Sequence, residues 1–172
     1  MRKREITMTK TFVNPLDYAG HSISIEQWTD PPQMSTGAPS PELTLVRDVL
    51  FVAYYRGDLE DPGFEVGIDA SHPFSILRFD GVHEHYIGPP NDEALHLHPL
   101  FSKGLSYYKF YRVNGSPKAS KSHQHWILTF HDETVEIIAV AGSVAYKSTW
   151  QDNMSSNTVI KSLAASLGIK DR

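Results

Sequence analysis

Histidine is the residue type whose spacing in this chain most clearly suggests chemistry. Random placement of the histidines would give roughly half of one His-x-His pair, and this chain contains three such pairs. Residues i and i+2 of a β-strand project from the same face, so two imidazoles can reach one ion. Imidazole with carboxylates nearby suits zinc, iron, nickel or copper, so the predicted cofactor is a divalent transition metal. Six of the nine histidines form the pairs His83/His85, His96/His98 and His123/His125.

Each pair also has a plainer interpretation, because an alternating pair is what the exposed face of a strand looks like. The first pair fits a small surface hairpin and the third begins in a Ser- and Lys-rich loop. In the second pair His98 is the better candidate, since Pro99 fixes the chain after it. His125 and His131 are an even number of residues apart and would share one face of a regular strand. We therefore predict His98, His125 and His131 as the metal ligands.

Residues 125–136 form the most chemically dense stretch, with two histidines followed by carboxylates. A His–carboxylate pair is the minimum for general acid–base catalysis, so His131, Asp132 and Glu136 are the catalytic candidates. The alternative is structural, because His131 and Asp132 could simply begin a turn whose backbone the Asp caps. The HExxH and cupin-type metal motifs are absent. Whether the protein is an enzyme therefore stays open.

An aromatic-rich run at residues 105–113 is predicted to be a strand. It carries Tyr107, Tyr108, Phe110 and Tyr111 and places aromatic rings on both faces. Such rings could line a ligand pocket or form a carbohydrate platform, or they could be core on one side and a sheet contact on the other. Tyr108 and Tyr111 are our candidates for ligand binding.

The totals exclude several classes of protein. A length of 172 residues with 40% hydrophobic and 21% charged residues fits one globular domain. A net charge of -4 with no basic patch argues against nucleic acid and anionic membranes as partners. The absence of cysteine excludes disulfides and thiolate chemistry and suits the cytoplasm. The longest strongly apolar stretch, residues 137–141, is far too short to span a membrane.

The elements that would position these residues are mostly strands. Residues 1–43 contain a Pro- and Ser-rich run and are predicted to be a partly ordered N-terminal arm, and residues 44–172 a single β-rich domain. Asp80-Gly81 is predicted to be a two-residue hairpin turn between strands at 74–79 and 82–87. Further strands are predicted at 48–55, 64–68, 125–131, 134–141 and 143–150, a short helix at about 91–97 and a C-terminal helix at 155–167.

Consecutive short strands joined by turns predict a mainly β fold. The antiparallel sheet should curl into a barrel or a sandwich, with one short helix and one terminal helix added.

Two stretches, residues 98–108 and 125–136, resemble a group of short bacterial β-rich proteins of unknown function. Members carry a His-Pro-Leu-aromatic segment and a strand that ends in Thr-Phe-His-Asp, as this chain does at residues 98–101 and 129–132. The likeness spans roughly residues 45–140 and departs after Glu136, where Ile137 stands in place of an expected Cys. It implies no function, but it implies which residues a shared site would use: Asn91, Glu93, His98, His125, His131, Asp132 and Glu136.

Two kinds of function follow as hypotheses. We expect a binding domain for a small-molecule ligand or a protein partner, with Asn91, Glu93, Tyr108 and Tyr111 at the ligand site. The alternative is a metal-dependent or acid–base enzyme of small molecules around His98, His125, His131 and Glu136. An interaction domain would act through its acidic surface and N-terminal arm, and a homodimer is one assembly left open.

Overall fold

The computed structural model describes residues 18–37, 40–59, 72–149, 152 and 154–168. The predicted strand at 64–68 and the first 17 residues of the predicted arm lie outside the described residues. The strands, in chain order, are β1 Ser24–Gln27, β2 Glu42–Val46, β3 Val49–Tyr55, β4 Phe74–Asp80, β5 Glu84–Gly88, β6 Phe110–Asn114, β7 Gln124–Thr129, β8 Thr134–Ala139 and β9 Ala141–Lys147.

The strands form two antiparallel sheets, which confirms the mainly β prediction. One sheet has five strands in the order β1-β6-β7-β8-β5, and the other has four in the order β2-β3-β4-β9. The β7–β8 connection is a two-residue hairpin, because Thr129 pairs with Thr134 and the Phe130 N–H donates to the Glu133 carbonyl at 2.8 Å. The sheets are not closed into a barrel.

The predicted hairpin at Asp80-Gly81 is wrong, because the chain changes sheets there. Strand β4 pairs with β3 and β9, whereas β5 pairs with β8 in the other sheet. The neighbouring β8–β9 connection changes sheets beside it, and the Val140 N–H donates to the Asp80 carbonyl at 2.9 Å. Gly81 lies in the left-handed region with a φ of 62°. An Asp-Gly pair therefore supplies the bend of a sheet corner here, which needs the same positive φ as a hairpin turn.

A single hydrophobic cluster contains residues from both sheets. It includes Leu50 and Val52 of β3, Leu77 and Phe79 of β4, and Trp126, Leu128, Val135 and Ile137 of β7 and β8. Strands alternate their side chains between two faces, so the residues between these point to the opposite, outer face of each sheet. Trp28 and Met34, from the segment predicted to be an arm, are also buried in this cluster.

The C-terminal helix prediction is confirmed by α1, Ser156–Ser166. Ser155 caps the helix by accepting a hydrogen bond from the Thr158 N–H. Val159 and Ile160 lie one turn in and pack against the outer face of the four-stranded sheet, on Phe51, Ala53, Phe74 and Ile76. Burial of these apolar side chains fixes the helix on that sheet.

Local corrections concern the segment between β5 and β6. The predicted helix at 91–97 is a 3-10 helix at Leu95–Leu97, followed by another at Phe101–Lys103. The predicted strand at 105–113 starts only at Phe110, because Tyr108 has a φ of 56° that a strand cannot contain. The two 3-10 helices cover the outer face of the five-stranded sheet, where Leu95, Leu100 and Leu105 pack on Ile127.

Among the described residues, none of the helices has the length and apolar character that crossing a membrane would require.

Candidate functional site

The outer face of the five-stranded sheet carries a buried carboxylate, Glu136, on β8. Glu136 pairs across the sheet with Ile127, and His125 lies two residues before Ile127 on β7, so all three side chains share this face. His98 reaches the same place from the end of the first 3-10 helix. Two of the three predicted metal ligands and one predicted catalytic residue are therefore brought together.

Glu136 accepts hydrogen bonds at both oxygens. Oε1 lies 3.2 Å from His98 Nε2, and Oε2 lies 3.0 Å from His125 Nε2 and 3.1 Å from Lys118 Nζ. The side chains of both histidines are 0% exposed and that of Glu136 is 5% exposed. We call Glu136, His98, His125, Lys118 and the adjoining Ser116 the Glu136 cluster.

The surrounding hydrogen bonds orient both histidine rings and fix the tautomer of His98. His98 Nδ1 accepts from the Leu100 N–H at 3.1 Å, so the ring proton lies on Nε2 and is donated to Glu136. Ser116 Oγ accepts from the Lys118 N–H at 3.3 Å and lies 2.9 Å from His125 Nδ1, which it can bind as donor or as acceptor. His125 Nε2 donates to Glu136, because a carboxylate oxygen can only accept. The cluster thus brings three donors, two imidazoles and one lysine, to one carboxylate.

The pKa of Glu136 follows from these contacts. Burial alone would raise this pKa, but hydrogen bonds from His125 and His98 and the charge of Lys118 outweigh burial. The pKa is therefore held well below its ordinary value, and the carboxylate is ionised at neutral pH. A buried, ionised carboxylate with three hydrogen-bond donors is a stable structural acceptor, and its lowered pKa makes it a weak general base at neutral pH.

The hydrogen bonds of the cluster use the nitrogens that a metal would need. A histidine nitrogen that binds a metal must be unprotonated, and both Nε2 atoms here lie within hydrogen-bond distance of Glu136. Among the described residues there is no group of three or more His, Cys, Asp or Glu arranged to hold a metal ion. The three predicted metal ligands do not lie together, because His98 and His125 contact Glu136 whereas His131 contacts Asp132.

His131 occupies the exposed β7–β8 turn together with Asp132. His131 Nδ1 lies 2.8 Å from Asp132 Oδ1, and Nε2 lies 3.7 Å from Asp92 Oδ2, which also accepts from Tyr108 OH at 2.6 Å. Strand β7 ends at Thr129, so His131 does not continue the face of His125. We call His131, Asp132, Asp92 and Tyr108 the His131 cluster.

Contacts within the His131 cluster shift the pKa values of its members. The hydrogen bond to Asp132, then the charge of Asp92, raises the pKa of His131. The hydrogen bond to Asp92 raises the pKa of Tyr108 to about 12, and that from Tyr108 lowers the pKa of Asp92. Two of the predicted catalytic residues, His131 and Asp132, thus lie beside Tyr108, which was predicted to bind a ligand. The third predicted catalytic residue, Glu136, lies in the other cluster.

The remaining predicted ligand residues have different surroundings. Asn91 Oδ1 accepts from the Ala94 N–H at 3.1 Å and so shapes the turn, while Glu93 is exposed. Tyr111 is 4% exposed, and its OH accepts from the Ser106 N–H at 3.0 Å. Tyr111 is therefore part of the packing under the 3-10 helices and offers no surface to a ligand.

The other histidines of the pairs are spread over the surface. The rings of His83 and His123 are 5.6 Å apart, and His123 Nδ1 lies 2.7 Å from Ser120 Oγ. Burial lowers the pKa of His85, which is half-buried on β5. His96 is exposed. These positions agree with the plainer interpretation of the first pair and of His123, whereas His125, the other member of the third pair, is buried.

Sequence reasoning missed a cavity of about 520 Å³ beside the start of α1. It lies on the outer face of the four-stranded sheet, where Glu42 pairs with Ala53 and Tyr55 with Phe74. Cross-strand partners point to the same face, so strand registers that the sequence does not reveal create the site. Its walls include Glu42, Ala53, Tyr55, Phe74, Met154 and Asn157.

The comparisons with known proteins give no relative: no protein-family model, no curated protein and no solved structure matches the chain.

Proposed function

We propose that this protein binds a small, partly apolar organic molecule in the cavity between α1 and the outer face of the four-stranded sheet. The observation that carries the proposal is the cavity of about 520 Å³. Sites for small ligands have volumes of roughly 300–1,000 Å³, with apolar walls and a few polar groups that set orientation.

The walls have the mixed character that such a ligand needs. Ala53, Phe74 and the ring of Tyr55 supply apolar area, and Ser156 and Asn157 supply hydrogen-bonding groups from the first turn of α1. Tyr55 and Met154 are 40% and 46% exposed, although large hydrophobic side chains are usually covered. A ligand in the cavity would cover both side chains.

The platform under the cavity supports the proposal. The two sheets share one hydrophobic cluster, and from this we infer a β-sandwich whose outer faces carry the additions, the 3-10 helices on one side and α1 on the other. A cavity on a packed sheet is largely formed before its ligand arrives, which reduces the entropy cost of binding.

A fragment screen with a methyl label tests the proposal. Met154 lines the cavity and Met34 is 1% exposed in the core, so their methionine methyl ¹³C signals serve as reporter and internal reference. A fragment that binds in the cavity should shift the Met154 signal and leave Met34 unchanged. Asn157→Trp should fill the cavity and abolish the shift. Lys161→Trp, on the exposed side of the same helix, is the matched control and should retain it.

A fragment that shifts Met154 equally in both tryptophan variants would contradict binding in the cavity. A library that shifts no cavity signal at millimolar concentration would contradict the proposed function itself.

The second candidate function is acid–base catalysis at the His131 cluster. Asp132 favours this function, because it binds His131 Nδ1 at 2.8 Å and so orients the imidazole ring. His131 Nε2 lies 3.7 Å from Asp92, and the side chain of His131 is 49% exposed. Because the pKa of His131 is raised, base catalysis should grow as the pH rises through that pKa. Hydrolysis of p-nitrophenyl acetate that is equal in wild type and His131→Ala would exclude this reaction class.

A further inference from the structure

From the charge of the cavity we infer that its ligand is a small hydrophobic amine, whose ammonium group is bound by Glu42. This inference rests on the proposed function and names its ligand class. Glu42 is exposed on β2 and is the only Asp, Glu, Lys or Arg among the described residues that line the cavity. The other titratable side chains that line it in this part of the chain are His72, Tyr54 and Tyr55, so a ligand group that balances the charge of Glu42 must be cationic.

The carboxylate of Glu42 has capacity for a ligand. Oε2 accepts from Ser156 Oγ at 2.8 Å, which orients the group toward the first turn of α1. Oε1 accepts no hydrogen bond from any residue in the described ranges, and Glu42 has no ion-pair partner within them. An ammonium donor can therefore bind Oε1 without displacing an existing partner, as a charge-assisted hydrogen bond.

The rest of the wall suits the apolar part of such an amine. Tyr55 lies on the same face of the sheet as Glu42, because Glu42 pairs with Ala53 and Tyr55 is two residues beyond Ala53 on β3. An aromatic face attracts cations as well as apolar groups. Met154 adds a polarizable thioether that adapts to irregular ligands. Amines that carry an aromatic ring on a short link combine both features.

The test compares three probes of similar shape but different charge: 2-phenylethylamine, 2-phenylethanol and 3-phenylpropanoate. Binding is measured by titrating the Met154 methyl signal. The amine should bind wild type about tenfold more tightly than the alcohol, and the anion more weakly than either. Glu42→Gln should weaken the amine about tenfold, to the level of the alcohol, and leave the alcohol unchanged. Glu26→Gln removes the same charge from an exposed position on β1 and should change neither affinity.

Equal affinities for the amine and the alcohol would overturn the inference while leaving the proposed function intact, and so would amine binding that Glu42→Gln does not weaken. Failure of all three probes to shift Met154 would also overturn the amine class. The fragment screen decides separately whether the cavity binds any ligand. Circular dichroism and the unshifted Met34 signal verify that each variant is folded.

Discussion

The substitution Glu136→Gln tests the structural role of the Glu136 cluster. Glutamine keeps the shape of the side chain but loses its charge and offers one acceptor oxygen in place of two. Both histidines donate from Nε2, and the Leu100 N–H prevents His98 from moving its proton to Nδ1. The new amide NH₂ therefore faces an imidazole N–H, donor against donor, or forces His125 to move its ring proton to Nδ1, toward Ser116 Oγ.

The expected loss of stability is large because the site is dry. A hydrogen bond to a charged group contributes about 1.5–3 kcal/mol, and a buried donor left unsatisfied costs about 1–3 kcal/mol. Together they give about 2.5–6 kcal/mol, which brackets the about 3–5 kcal/mol known for breaking buried ion pairs. Lys118 loses its partner too, but its side chain is 22% exposed and can turn to water, so it adds little.

Urea denaturation at several pH values measures this loss. At pH 7 the free energy of unfolding should fall by about 3–5 kcal/mol in Glu136→Gln. The control Glu93→Gln, on an exposed carboxylate, should remain within about 0.5 kcal/mol of wild type.

The pH dependence has a definite sign. The pKa of Glu136 is depressed in the folded state, so its stabilisation is complete above the unfolded pKa of about 4.3 and is lost as the pH falls through the folded pKa. The glutamine variant lacks this titration, so the difference from wild type should shrink below about pH 4. A loss under about 1 kcal/mol at pH 7, or a difference that stays constant down to pH 3, would refute the reasoning.

Three further predictions concern single contacts. Gly81→Ala should cost about 1–2 kcal/mol by denaturation, because the residue has a φ of 62° and a new Cβ would meet a side chain at 2.6 Å. Gly20→Ala, at a φ of 81° with open space around a new Cβ, measures the cost of the backbone conformation alone. Equal losses of stability in the two variants would mean that the side-chain contact at Gly81 costs nothing. Asp92→Asn should lower the pKa of Tyr108 from about 12 toward 10, followed by NMR of ¹³C-labelled tyrosine; an unchanged value would contradict the hydrogen bond. Ser155→Ala should destabilise the protein by about 1 kcal/mol, since the helix loses its cap; no change would mean that the cap is dispensable.

Local patterns predicted much of the secondary structure. The C-terminal helix was predictable because its apolar residues recur at helical spacing after a serine cap. Both signals are local in the sequence. Strands β3 and β4 were predictable from runs of β-branched and aromatic residues. The mainly β class follows from such runs joined by turns without long helices between them.

The candidate site was predicted only in part. Residues 125–136 supply His125 and Glu136 to one cluster and His131 and Asp132 to the other, and His98 meets the first. The role of that meeting was not predictable, because it depends on partners from other parts of the chain, such as Leu100 at His98 and Ser116 at His125. Lys118 was missed since nothing in its own neighbourhood marks it as a partner of a buried carboxylate.

The sequence by itself determined where strands and the terminal helix form, and which polar residues are available to the interior. Tertiary structure alone decided how those elements pair. Asp80-Gly81 has the same local preference in a hairpin turn and in a sheet corner, and only the pairing of β5 with β8 selects the corner. The separation of His131 from His125 and the register that opens the cavity at Glu42 have the same origin. Contacts between residues far apart in the chain depend on the packing of whole sheets, and no local pattern encodes them.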